Sequence, residues 1–158
     1  MMEKKRVLFL CTGNSARSQM VEGLVNHFLG DRWEAHSAGT VPTGHVHPLA
    51  VQAMAELGID ISHQRSKSVD ELRDAEFDLV ITVCDNAASN CPLWLGPGRV
   101  KQMGFPDPAA AIGSEAQRLT VFRQVRDRLR EQVLHYLEEG MEDSAAKGGF
   151  YVTATGNL

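Results

Sequence analysis

Apolar and polar positions divide the chain into short hydrophobic runs and longer stretches of helical period. Val7-Leu8-Phe9-Leu10 is an unbroken apolar run, too short for a helix, and reads as a buried strand ending at Cys11. From Arg17 onward Met20, Val21, Leu24, Val25 and Phe28 fall on one helical face. Trp33–Ser37 reads as a second strand closing at Ala38-Gly39, and Thr40–Pro48 as a loop. Leu49–Leu57 follows as a helix stopped by Gly58, and Ser68-Val69-Asp70-Glu71 has the capping-box pattern of a short helix. Phe77–Val83, rich in branched apolar residues, reads as a central strand that delivers Cys84 at its C-terminal end. Asp85–Cys91 is small and polar and reads as a short, weak helix; Pro92 and Gly96-Pro97-Gly98 make the exit from it. Val100–Met103 is the last strand and feeds Phe105-Pro106-Asp107-Pro108. Ser114 and Gln117 cap a long helix with the stripe Leu119, Phe122, Val125, Leu129, Val133 and Tyr136, its Arg and Glu residues forming a solvated face.

Strands alternating with helices imply an α/β fold, with a parallel sheet covered on both faces in a three-layer sandwich. Residues 1–139 read as a single domain without internal repeats. From Gly140 the sequence turns small and polar with no strong periodicity, so 140–158 reads as a loosely packed or disordered tail.

Composition narrows the class. A chain of 158 residues, 43% hydrophobic and 23% charged, is an ordinary soluble domain able to bury a core. A net charge of −4 with no basic run argues against a nucleic-acid partner. No apolar run is long enough for a signal-peptide core or a membrane span, so a cytoplasmic location without a membrane partner is expected. Three cysteines without a secretion signal suggest reduced thiols with chemical roles.

The chemistry concentrates where the first strand ends. Thr12-Gly13-Asn14-Ser15-Ala16 consists of small or polar residues suited to a tight loop, because Gly and Asn tolerate positive φ. A loop turning into a helix N-terminus aims successive backbone N–H groups at one point, and the helix dipole adds partial positive charge there. Arg17 adds a bidentate donor pair matched to a tetrahedral oxyanion. The thiolate is the nucleophilic form of cysteine, and a helix N-terminus beside a cation favours it. Cys11 and the oxyanion cradle Thr12, Gly13, Asn14, Ser15, Ala16, Arg17 and Ser18 therefore come as one unit, with Ser18 placed to hydrogen-bond the sulfur. Asp107, fixed between prolines, is suited to protonate a leaving oxygen as general acid. His45 and His47, at i and i+2 without a third ligand nearby, read as loop residues rather than a metal site. No metal or cofactor is expected.

Cys11-Thr12-Gly13-Asn14-Ser15-Ala16-Arg17-Ser18 resembles the phosphate-binding loop shared by low-molecular-weight protein tyrosine phosphatases and the arsenate reductases built on that fold. Ser37-Ala38-Gly39, Gly58-Ile59-Asp60-Ile61-Ser62, Cys84 with Cys91, and Phe105-Pro106-Asp107-Pro108 all resemble the arsenate reductase branch, over roughly residues 5–139 and in order. The resemblance implies a four-stranded parallel sheet of flavodoxin-like topology. It also implies a thiol relay in which Cys11 attacks arsenate with Asp107 as general acid. Cys84 then attacks the Cys11 adduct, Cys91 takes over the disulfide, and thioredoxin reduces it. Arsenate is the implied substrate, with phosphate or sulfate as mimics. Glutaredoxin or a small thiol remains open as the reductant.

Cys84 and Cys91, which a phosphatase does not need, separate the branches, and so does the residue after the Asp-Pro pair. Phosphatases of the family usually carry an aromatic residue after the Asp-Pro pair, whereas Ala109-Ala110-Ala111 follows here. Some relatives hold a potassium ion with an Asn, a Glu, a Ser and an Asp; Asn14, Glu22 and Ser37 match, but Lys67 stands where the Asp would be. The expectation is that the Lys67 ammonium replaces the ion and pairs with Glu22. Two other functions would use the same residues. One is a phosphatase working through a phosphorylated Cys11, or a weak activity of that kind beside the reductase. The other is a non-catalytic oxyanion or arsenite-binding module, which would have no use for Asp107.

Overall fold

The computed structural model describes residues 4–84 and 98–139. Its sheet is built on β1 (Lys5–Cys11), which pairs in parallel with β2 (Trp33–Gly39) on one side and β3 (Leu79–Thr82) on the other; β4 (Arg99–Gln102) continues beyond β3. The order β2-β1-β3-β4 is that of an open doubly wound sheet, the expected four-stranded α/β architecture. The chain leaves β1 to one side for β2 and returns to the other for β3, so the order reverses at β1. Ligands bind at such a reversal, outside the carboxyl ends of the strands. Register puts Cys11 opposite Gly39 and Leu10 opposite Thr82, so the ends of β1, β2 and β3 form one edge.

The unbroken apolar run of β1 is explained by burial on both faces. Val7, Phe9 and Cys11 point with Leu79 and Ile81 into a core filled by α1 (Arg17–Phe28), α2 (Pro48–Ala55) and α3 (Glu115–Glu138). Leu8, Leu10 and Val80 point the other way, against Ala38, Val69 and Phe77. Burying each such Leu, Val or Phe contributes about 1.5–3 kcal/mol.

The helices depart from the sequence reading in instructive places. Phe28 is 37% exposed, because Leu29, one turn beyond Val25, takes the buried place, and the Arg130 guanidinium lies 4.4 Å from the Phe28 ring centroid. α2 begins at Pro48, capped by His47, and ends at Ala55 short of Leu57. The expected capping box at Ser68 is half made. Ser68 accepts from Asp70 N, but the Glu71 carboxylate pairs with Arg65 at 2.8 Å instead, and Val69–Leu72 is one 3-10 turn. α3 has the full capping box of Ser114 and Gln117, and every residue of its expected stripe is buried. Arg126 leaves the solvated face: it is buried and donates to Ala53 O and Glu56 Oε1, each at 2.8 Å, pinning α3 to the end of α2.

Candidate active site

The loop after β1 is shaped from outside. Val41 N donates to Thr12 O at 2.9 Å, Thr43 N to Gly13 O at 3.0 Å and His47 N to Ser15 O at 2.9 Å, and Ser66 Oγ donates to Gly13 O. With these carbonyls held outward, the amides of Gly13, Ser15, Ala16 and Arg17 donate to no described residue. Asn14 takes φ +48°, a left-handed conformation that Asn tolerates, and α1 starts with no side-chain cap at Ala16. Gly39 makes the close approach possible, since a Cβ there would strike the Thr12 carbonyl and come within 3.0 Å of Asn14 N. The outcome is a concave row of N–H groups at the head of a helix, the geometry that takes an oxyanion.

Cys11 sits at its base, buried and free. Its sulfur is 2.9 Å from Ser18 Oγ and accepts from Asn14 N at 3.2 Å. The polarity of this contact is set by Asn14. Its Oδ1 accepts from the Lys67 backbone N–H at 2.9 Å and from Gln19 Nε2 at 3.0 Å. A backbone N–H can only donate, so the amide cannot be turned over. Asn14 Nδ2 therefore faces Ser18 Oγ at 2.8 Å and Ser37 Oγ at 3.0 Å as donor to both. Ser18 Oγ, already accepting, has its own proton available for the sulfur. The sulfur is thus placed to accept from both Ser18 Oγ and Asn14 N.

The second branch from Asn14 ends in a carboxylate, Ser37 Oγ donating to Glu22 Oε1 at 2.5 Å. Burial raises the Glu22 pKa, while the Ser37 hydrogen bond and the charges of Lys67, His36 and His63 pull it back. The expected pairing of Lys67 with Glu22 is corrected to an influence without contact. Lys67 Nζ donates to Arg65 O at 3.1 Å and makes no ion pair among the described residues. The potassium set named above does not fit here either, because Ser37 accepts from Asn14 and donates to Glu22, and Asn14 Oδ1 is taken by two donors. No group of three His, Cys, Asp or Glu able to hold a metal occurs among the described residues.

Arg17 is 8% exposed, its Nη1 donating to Phe105 O at 3.1 Å and its Nη2 standing 3.8 Å from Asp107 Oδ2. Asp107 Oδ1 accepts from Ala109 N at 3.0 Å, capping the 3-10 turn Pro108–Ala110 and leaving Oδ2 toward the guanidinium. Phe105 is fully buried and donates its N–H to Val83 O, which ties the Asp107 segment to the end of β3. Val83 N in turn donates to Leu10 O, so Cys84 follows β3 at the edge where Cys11 ends β1. Cys84 is buried and disulfide-bonded, in contrast to the free Cys11. Cys91 and the segment 85–97 lie outside the described residues, as does 140–158.

Gln19, Gln64 and His47 escape the sequence reading. Gln19 Nε2 donates to Asn14 O, Asn14 Oδ1 and Arg65 O, and Gln64 Nε2 donates to Gln19 Oε1 at 2.8 Å. The one signal in the sequence was a polar residue, Gln19, set directly before the apolar stripe of α1.

Known proteins resemble this chain over most of its length. The model of the low molecular weight phosphotyrosine protein phosphatase family matches residues 6–146. An arsenate reductase of Halalkalibacterium halodurans is 45% identical over 139 residues, 88% of this chain and 99% of that protein. A solved arsenate reductase in its phosphate-binding state superposes with TM-score 0.69 at 31% identity, over 85% of this chain and 98% of the other. A thioredoxin-dependent arsenate reductase of Corynebacterium glutamicum superposes with TM-score 0.60 at 27% identity, over 86% of this chain and 63% of that one.

Proposed function

The chain belongs to the low molecular weight phosphotyrosine protein phosphatase family, and we propose on that premise that it is an arsenate reductase. The observation that carries this is a free thiol in an amide cradle, beside a second cysteine that is oxidised at the neighbouring strand end.

Arsenate docks on the loop amides and Arg17. The Cys11 thiolate attacks arsenic, an As–S bond forms, and a hydroxyl protonated by Asp107 departs as water. The Cys84 thiolate then attacks the Cys11 sulfur. A Cys11–Cys84 disulfide forms while the As–S bond breaks, and its electron pair stays on arsenic, which leaves as arsenite. Cys91 next attacks Cys84 and frees Cys11 as thiolate. A dithiol protein, thioredoxin, reduces the remaining disulfide to two thiols and becomes oxidised itself. No helix among the described residues is long and apolar enough to cross a membrane.

A phosphatase reading has one observation in its favour: Cys11, Arg17 and Asp107 suffice for phosphoryl transfer. The alanines after Pro108 provide no platform for an aromatic ring, so only weak activity on small aryl phosphates is expected. A non-catalytic oxyanion- or arsenite-binding module has no need of Asp107, because a binder needs no general acid.

Cys91→Ser tests the relay. Incubated with arsenate and thioredoxin, it is expected to release about one arsenite per chain and stop, with Cys11 and Cys84 joined in a disulfide visible by peptide mass mapping. Sustained turnover by this variant would rule the relay out.

A further inference from the structure

His47 touches three parts of the molecule at once. Its N–H holds the Ser15 carbonyl of the oxyanion loop at 2.9 Å. Its carbonyl accepts from Ala50 N at 3.0 Å and Val51 N at 3.1 Å, and its ring nitrogen Nδ1 accepts from Leu49 N at 3.1 Å. Pro48 has no N–H, so Leu49 carries the first amide of α2 in need of a partner. The other side of the ring packs on Phe122 of α3, with centroids 4.7 Å apart. Oxyanion loop, α2 and α3 thus meet at one residue, whose imidazole none of the chemistry above uses.

We infer that His47 is a positioning residue for oxyanion binding: its neutral imidazole caps α2 while its main-chain N–H fixes the Ser15 carbonyl outward, and a proton on Nδ1 releases the cap and loosens the loop. This rests on reading the loop as the arsenate cradle. The logic is the donor–acceptor inventory. Nδ1 accepts from a backbone amide only while it carries no proton; protonated, it faces Leu49 N–H as a second donor and the cap is lost. The Ser15 carbonyl is one of those whose outward direction turns the loop amides inward, so a shift of His47 backbone reaches the cradle directly.

The surroundings of the ring favour its neutral form. Burial lowers the His47 pKa most, followed by Arg118 of α3 and His45 of its own loop; Asp107 alone raises it. A base with a lowered folded-state pKa contributes stability that is fully present above the ordinary value of about 6.5 and is lost as pH falls through the folded one. The cap is therefore intact at neutral pH, and its loss belongs to the acidic side.

The test is calorimetric titration of the full chain with inorganic phosphate from pH 8 to 5, for wild type, His47→Ala and His47→Asn, each with its melting temperature. Asparagine is a good N-cap that does not titrate. At pH 8 His47→Ala should bind phosphate about fivefold more weakly, the scale of a lost cap, and His47→Asn should recover most of that. Below about pH 6.5 wild type should lose affinity relative to His47→Asn, again by about fivefold. Phosphate's own ionisation cancels in that ratio. A wild-type to His47→Asn ratio that is flat across pH, or His47→Ala binding like wild type while melting lower, would overturn the inference and leave His47 a structural cap. Wild type that fails to bind phosphate at pH 8 removes the cradle reading and the inference together.

Discussion

Cys11→Ser is expected to lose arsenate reduction by at least on the order of 10⁴-fold, while it folds and still binds oxyanion. The loss is total because nothing at the site replaces the nucleophile. A serine hydroxyl stays protonated at neutral pH, and its oxygen cannot enter a disulfide relay. The fold survives because the groups around Sγ do. Ser18 Oγ and Asn14 N reach position 11 at 2.9 and 3.2 Å, and a hydroxyl can accept from both. The free loop amides are untouched, so phosphate titration should give an affinity near wild type. Retained arsenate reduction would show that Cys11 is not the nucleophile.

Arg17→Lys should lower kcat/KM for arsenate by about 10²–10³-fold, the scale of removing one oxyanion donor. The substitution keeps the charge but not the fork. One guanidinium nitrogen is committed to Phe105 O, and the other end faces Asp107 Oδ2 and the mouth of the cradle. An ammonium is a single point of charge and cannot serve the carbonyl and a bound oxyanion together. It would also leave Asp107 differently oriented, so kcat should fall along with the rise in KM. Steady-state kinetics of the reductase reaction separates the two. A change in KM alone would reduce Arg17 to a binding charge.

The legible parts of the sequence were those fixed by local pattern. The apolar run ending at Cys11, the small-residue loop and the helix from Arg17 are each signalled by neighbouring residues, and the parallel sheet follows from the alternation of strands and helices. Phe28 was misplaced because period alone does not tell where a stripe ends, and Leu29 competes for the same buried place. Arg126 was counted with a solvated face because its partners, Ala53 O and Glu56, come from a helix about 70 residues away. The same distance hides the polarity of the nucleophile. It depends on a backbone N–H of Lys67 meeting Asn14 Oδ1, 53 positions apart. Lys67 was expected to act through its ammonium, but its main-chain amide does the orienting. His47 reads from its spacing as a loop residue, and its value as a cap emerges only when Pro48 and Leu49 are seen in a helix.

The central claim is that two sulfurs beyond Cys11 carry electrons to arsenic. It is tested most directly by arsenate-dependent NADPH oxidation with thioredoxin and thioredoxin reductase, comparing wild type with Cys84→Ser. The relay requires steady turnover in wild type and none in the variant. No arsenate-dependent turnover in wild type, together with hydrolysis of an aryl phosphate that Cys84→Ser leaves untouched, would contradict it and make this chain a phosphatase.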